Sequence, residues 1–127
     1  MTSEEQKKAI KEKLDDIKAI AKDGKMSING REYSFKQCAH IQRQRVFGIY
    51  SKYQEQISRM DFSFLLNGDF IKAEHDIDKI VFYEGEPLEK LKQNVDYWDK
   101  HPEDYIEYII KSMAVICIPF TSGMHGA

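Results

Sequence analysis

The residues able to do chemistry fall in three places along the chain. The segment Ala73-Glu74-His75-Asp76-Ile77-Asp78 surrounds a histidine with carboxylates, the composition of a metal site. A second acidic group, Asp99, His101, Glu103, Asp104 and Glu107, has the residue types of acid–base chemistry. A third set, Arg43, Arg45, Lys52 and Arg59 with Phe47, Tyr50 and Tyr53 among them, interleaves cations and aromatic rings as a nucleic-acid surface does. Each set also has a plainer reading. Adjacent residues of a helix point in different directions, so His75 and its neighbours do not converge on one ion. Glu103 and Asp104 suit the first turn of a helix, where the dipole favours negative charge. Tyr50, Tyr53 and Ile57 share one apolar stripe, which reads as core before base stacking. The sequence has no Gly-rich phosphate loop, no nucleophile elbow and no cysteine pair at zinc spacing. The expectation is therefore a non-enzymatic chain without metal or cofactor that works by binding other proteins.

The elements that must position these residues follow from length and pattern. The chain has 127 residues, the size of one domain with one core. Its apolar fraction of 42% and charged fraction of 31% belong to a globular protein rather than a disordered one. No apolar run approaches the roughly 20 residues of a membrane span. The densely charged stretch from Met1 to Gly24 lacks the apolar core of a signal peptide, which predicts a cytoplasmic protein. Cys38 and Cys117 then read as buried thiols on apolar helix faces. Charge is unevenly spread. Residues 1–60 carry 13 Lys/Arg against 8 Asp/Glu, and residues 61–127 carry 6 against 13. The simplest consequence is attraction between the two halves within the fold.

The pattern predicts a mainly α, small helical domain with one N-terminal β-hairpin. Residues 1–24 form a charged amphipathic helix, with Ile10, Leu14, Ile17 and Ile20 as a narrow apolar stripe and Gly24 as its stop. So thin a stripe predicts weak docking, projection, or pairing with a partner. Residues 25–120 form the helical core domain. It opens with a hairpin over 26–33 around Asn29-Gly30, a pair that tolerates the positive φ angles of a type I′ turn. A long helix is expected from Ser34 to Met60, with Val46, Ile49, Tyr50, Tyr53 and Ile57 in the core and Arg43, Arg45 and Arg59 facing a partner. Next comes a connector whose Phe62, Phe64, Leu65 and Leu66 are too apolar to lie bare. A helix capped by Asp69 carries Phe70, Ile77, Ile80 and Val81 up to the break Glu84-Gly85-Glu86-Pro87. Leu88, Leu91, Val95 and Trp98 form a further stripe, and His101-Pro102 breaks the chain again. The last helix, about Glu103 to Ile118, is apolar on more than one face and belongs at the centre. Pro119 is expected to end it, leaving 121–127 as a flexible tail.

The succession of these pieces resembles the tail assembly chaperones of long-tailed bacteriophages. The resemblance is carried by Ile28-Asn29-Gly30-Arg31-Glu32-Tyr33-Ser34-Phe35 ahead of a basic helix with Arg43-Gln44-Arg45-Val46-Phe47, then Asp61-Phe62-Ser63-Phe64-Leu65. Trp98, His101-Pro102-Glu103-Asp104-Tyr105 and Met113-Ala114-Val115-Ile116-Cys117-Ile118-Pro119-Phe120 complete it. It spans Ile28 to Phe120 and leaves the first helix outside. The family implies a helical, non-enzymatic protein of the host cell cytoplasm. It would coat the tape measure protein and recruit tail tube subunits during tail morphogenesis, with no membrane or nucleic acid involved. The candidate partner-binding residues are Arg43, Arg45, Arg59, Phe62, Phe64, Leu65, Ile10, Leu14 and Ile17. The same apolar surface is open to self-association as a homo-oligomer. The competing expectations are a tail or neck adaptor kept in the virion, and a small nucleic-acid-binding regulator.

Overall fold

The computed structural model describes the backbone of residues 3–125 and the side chains of most of these; those of Gln6, Ala9, Ile10 and residues 122–125 lie outside the description. Helix α1 (Ser3–Asp23) stops at Gly24, whose φ of +71° suits glycine and turns the chain into strand β1 (Lys25–Ile28). Strand β2 (Arg31–Phe35) returns antiparallel, with Met26 opposite Tyr33. Asn29 and Gly30 have φ of 50° and 80°, the paired positive values of a type I′ turn, as their residue types predict. Met26, Ile28 and Tyr33 point inward and are buried, while Lys25, Ser27 and Glu32 face out.

The chain then differs from the sequence reading. Helix α2 spans His40–Ser58, not Ser34–Met60. Ser34 and Phe35 extend β2, where they pair with Phe82 and Val81 of strand β3 (Val81–Tyr83). The start of α2 is closed instead by Gln42, whose Oε1 accepts the Ala39 N–H at 3.0 Å. Helix α3 (Gly68–Ile80) gives way to β3 at Val81, and β3 pairs with the two-residue strand β4 (Glu86–Pro87). The single expected hairpin is thus half of a four-stranded antiparallel sheet in the order β1-β2-β3-β4. An isolated hairpin is marginal, and the second one supplies partners for β2. The break expected at Glu84-Gly85 is its turn, again with two positive φ values, 51° and 83°. The stripe from Leu88 to Trp98 is divided by the left-handed Asp96 into α4 (Leu88–Asn94) and α5 (Tyr97–Lys100). A 3₁₀ turn over Pro102–Asp104 leads into α6 (Tyr105–His125).

Helix α6 continues through Pro119. Proline forfeits one intrahelical hydrogen bond there, and its ring stands on the exposed side of the helix. Thr121 Oγ1 donates to the Cys117 and Ile118 carbonyls at 3.3 and 3.4 Å one turn back, and the backbone of 121–125 is helical where a flexible tail was expected. Residues 126 and 127 lie outside the described residues. Helix α6 packs against α1, α2 and α3 and occupies the middle of the molecule. Tyr108, Ile109, Met113, Ile116 and Cys117 of α6 are buried with Val46 and Tyr53 of α2 and Phe70, Ala73 and Ile77 of α3. Phe64, in a 3₁₀ turn over Ser63–Leu66, stacks on Tyr53 at 4.4 Å between ring centroids and closes that end of the core. The architecture is mainly α, with a small antiparallel sheet at one side.

Candidate functional site

Several of the carboxylates that could do chemistry are engaged within the fold. Asp104 is fully buried and accepts hydrogen bonds from Asn29 Nδ2 (2.8 Å), Arg31 Nη1 (3.0 Å) and Tyr33 Oη (2.7 Å). The Tyr33 and Tyr97 hydroxyls lie 2.6 Å apart, extending the network into α5. Burial opposes the charge on Asp104, yet bonds from Asn29, Tyr33 and Arg31 prevail and hold its carboxyl below the usual range. The carboxylates flanking His75 are separated in the same way. Asp76 takes Arg45 bidentately at 2.7 and 2.8 Å. Glu74 and Asp78, one turn apart, share Lys92 Nζ at 3.0 and 2.7 Å and accept the Tyr105 and Tyr108 hydroxyls. Burial pushes Asp78 upward against the pull of Lys92 and Tyr108. His75 itself is exposed. Among the described residues no group of three or more His, Cys, Asp or Glu is placed to hold a metal ion.

These pairs also settle the charge asymmetry. Arg31 with Glu103 and Asp104, Arg45 with Asp76, and Lys52 with Asp69 join the basic first half to the acidic second half. The attraction expected between the halves is built from named ion pairs inside the fold.

Several candidate partner-binding residues have partners within the fold. Arg45 is tied to Asp76 although its side chain stays half exposed, and Arg43 is held through Nε, which donates to the Ile116 carbonyl at 2.9 Å. Phe64 is a core residue at 1% exposure, and Phe62 and Leu65 are half-buried against the same core. The connector was too apolar for water, and the fold covers it itself. Leu66 is the exception, at 89% exposure. Arg59 is exposed at the end of α2. The side chain of Ile10 lies outside the described residues. Cys38 sits half-buried in the loop before α2 rather than on a helix face. Cys117 is buried in α6, and burial pushes its thiol up to about 12 despite Arg43 nearby.

Leu14 and Ile17 remain together in a groove of about 800 Å³ between α1, α2 and α6. Its floor is the row Ile106, Ile110, Ala114 and Ile118, repeating every four residues along the outer side of α6. At a rise of about 1.5 Å per residue this row is roughly 18 Å long, three helical turns. Leu14 and Ile17 form one wall; Tyr50, Gln54 and Met60 form the other. Leu14 is 45% and Met60 68% exposed. Lys111 at the rim is held by Glu107 (2.8 Å) and Asp16 (3.8 Å). Helix α6 is apolar on more than one face because one side is core and another is this floor. The sequence marked Leu14 and Ile17 but not Tyr50 or Met60, and the four-residue row on α6 was the signal available for the floor. No helix among the described residues is long and apolar enough to cross a membrane. No family model, no curated protein and no solved structure matches the chain.

Proposed function

We propose that the protein is a non-enzymatic tail assembly chaperone of a long-tailed phage, and that the groove between α1, α2 and α6 receives a helical stretch of the tape measure protein. The observation that carries this reading is the open apolar row Ile106, Ile110, Ala114 and Ile118 with Leu14 and Met60 exposed beside it. An apolar channel three turns long, rimmed by charge, suits the apolar face of an amphipathic helix with anchors at three- and four-residue spacing. The resemblance over Ile28–Phe120 supplies the client. A very long helical tape measure must be kept from aggregating in the host cytoplasm until tube subunits surround it, and a small protein with one apolar groove covers it reversibly.

Co-expression with fragments of the tape measure protein, followed by size-exclusion chromatography, tests this. The expected result is a complex that Leu14→Glu abolishes while its melting temperature stays within a few degrees of the parent. A strictly monomeric protein that ignores both tape measure and tube subunits at tens of micromolar, about the weak end of specific affinity, overturns it. Strong retention on purified mature virions overturns it in favour of a structural adaptor.

A further inference from the structure

We propose that a second cleft, on the other side of the C-terminal half of α6, is a binding site for a small organic phosphate. The cleft is about 420 Å³ and lies where the end of α1, the β2–α2 loop and α6 meet. Three cations line it, Lys22, Lys36 and Arg43, and no carboxylate does. Elsewhere the fold matches its held guanidinium groups to acids: Arg31 to Glu103 and Asp104, Arg45 to Asp76. Arg43 is held equally firmly, by its Nε on the Ile116 carbonyl, yet among the described residues its terminal nitrogens meet no acceptor. Lys22 has no ion pair there either, and Lys36 Nζ lies 5.2 Å from the centre of the Phe82 ring with no carboxylate in reach. Asp76, the acid that acts on Cys38 at the cleft wall, is already neutralised by Arg45.

Three cations around one opening with no carboxylate among its lining residues attract a ligand carrying more than one negative charge. Fixed by Nε, Arg43 offers its remaining N–H groups as a fork, the geometry that phosphate oxygens accept. A single carboxylate would leave most of the charge unbalanced. The rest of the cleft is apolar, with Phe35 and Pro119 among its walls. That half suits the apolar or aromatic body of a phosphomonoester, which a bare phosphate ion would leave empty. The site shares Ile118 with the groove proposed for the client helix but none of its cations, so either reading can fail alone.

Phosphorus NMR titration of phenyl phosphate against the intact protein, at constant ionic strength, tests the assignment. The expected result is saturable binding, with inorganic phosphate and benzoate each at least about tenfold weaker. Lys22→Gln with Lys36→Gln should weaken phenyl phosphate at least about tenfold with the melting temperature unchanged, and Arg43→Gln should abolish binding. Lys72→Gln with Lys79→Gln, the same charge loss on exposed positions of α3, should leave it intact. Absence of saturable binding overturns the proposal. So do undiminished binding in the Lys22/Lys36 variant, equal weakening in the Lys72/Lys79 control, or benzoate binding as tightly as phenyl phosphate.

Discussion

Replacing Asp104 with alanine measures what holds the first hairpin to the 3₁₀ turn that leads into α6. The carboxylate accepts from Asn29, Arg31 and Tyr33 with no exposure of its own. A hydrogen bond to a charged group contributes roughly 1.5–3 kcal/mol, and removing one member of a buried ion pair costs roughly 3–5 kcal/mol. Arg31 is the smaller share, because it already reaches Glu103 at 3.1 Å and keeps that partner. Tyr33, fully buried, keeps only the Tyr97 hydroxyl. Asp104→Ala should therefore lose about 3–4 kcal/mol, which lowers the melting temperature by roughly 10 °C in a domain of this size. Asp104→Asn, which keeps the volume but not the charge, should fall between. The loss should depend on pH. Burial opposes ionisation of Asp104, but its donors prevail and lower its folded-state pKa below the ordinary value of 3.8. A lowered pKa means the unfolded chain binds the proton more tightly. The stabilisation is then complete above the unfolded value and disappears as pH falls through the folded one. Urea unfolding followed by Trp98 fluorescence, between about pH 5 and pH 2, should show the gap between parent and variant closing on the acid side. A gap below about 1 kcal/mol at neutral pH, or one that does not narrow in acid, would refute the role given to this hub.

Tyr53→Ala removes a ring stacked on Phe64 and a hydroxyl shared with Asp69 (2.9 Å), and should cost roughly 2–4 kcal/mol by chemical denaturation. Gly30→Val forces a β-branched residue to φ near 80° and should lower the melting temperature with no separate binding defect once the folded fraction is counted. Unchanged stability there would mean that no type I′ turn forms. Arg45→Glu sets two carboxylates together at Asp76 and should lower the melting temperature, contrary to the outward contact role expected from its position on the helix. Cys117 should resist alkylation in the folded protein while Cys38 reacts slowly, read by mass spectrometry; equal rates would contradict their burial.

Local pattern determined the parts of this protein that depend on near neighbours. Leu14, Ile17 and Ile20 on one side of α1, the stop at Gly24, the Asn29-Gly30 turn and the apolar face of Val46 and Tyr53 are set by spacing and by φ preference, and all lie where the sequence places them. Strand β3 was not legible. Val81 continues the helical spacing of Ile77 and Ile80, and only hydrogen bonding to β2, some fifty positions earlier, makes Val81–Tyr83 extended. The break at Glu84-Gly85 was legible but its role as a hairpin turn was not, since glutamate rarely adopts the positive φ that the paired strands impose on it here. Charge imbalance between the halves was visible in composition, but which cation meets which carboxylate depends on how α2, α3 and the hairpin pack. That pairing tied Arg45 to Asp76 and left Arg43 without an acid. A helix apolar on more than one face, such as α6, cannot say from its own residues which of those faces is core. Only the packing of α2 and α3 over Tyr108, Ile109 and Met113 decided that Ile106, Ile110, Ala114 and Ile118 would floor a groove, because burial belongs to the elements that cover a residue and not to the residue alone.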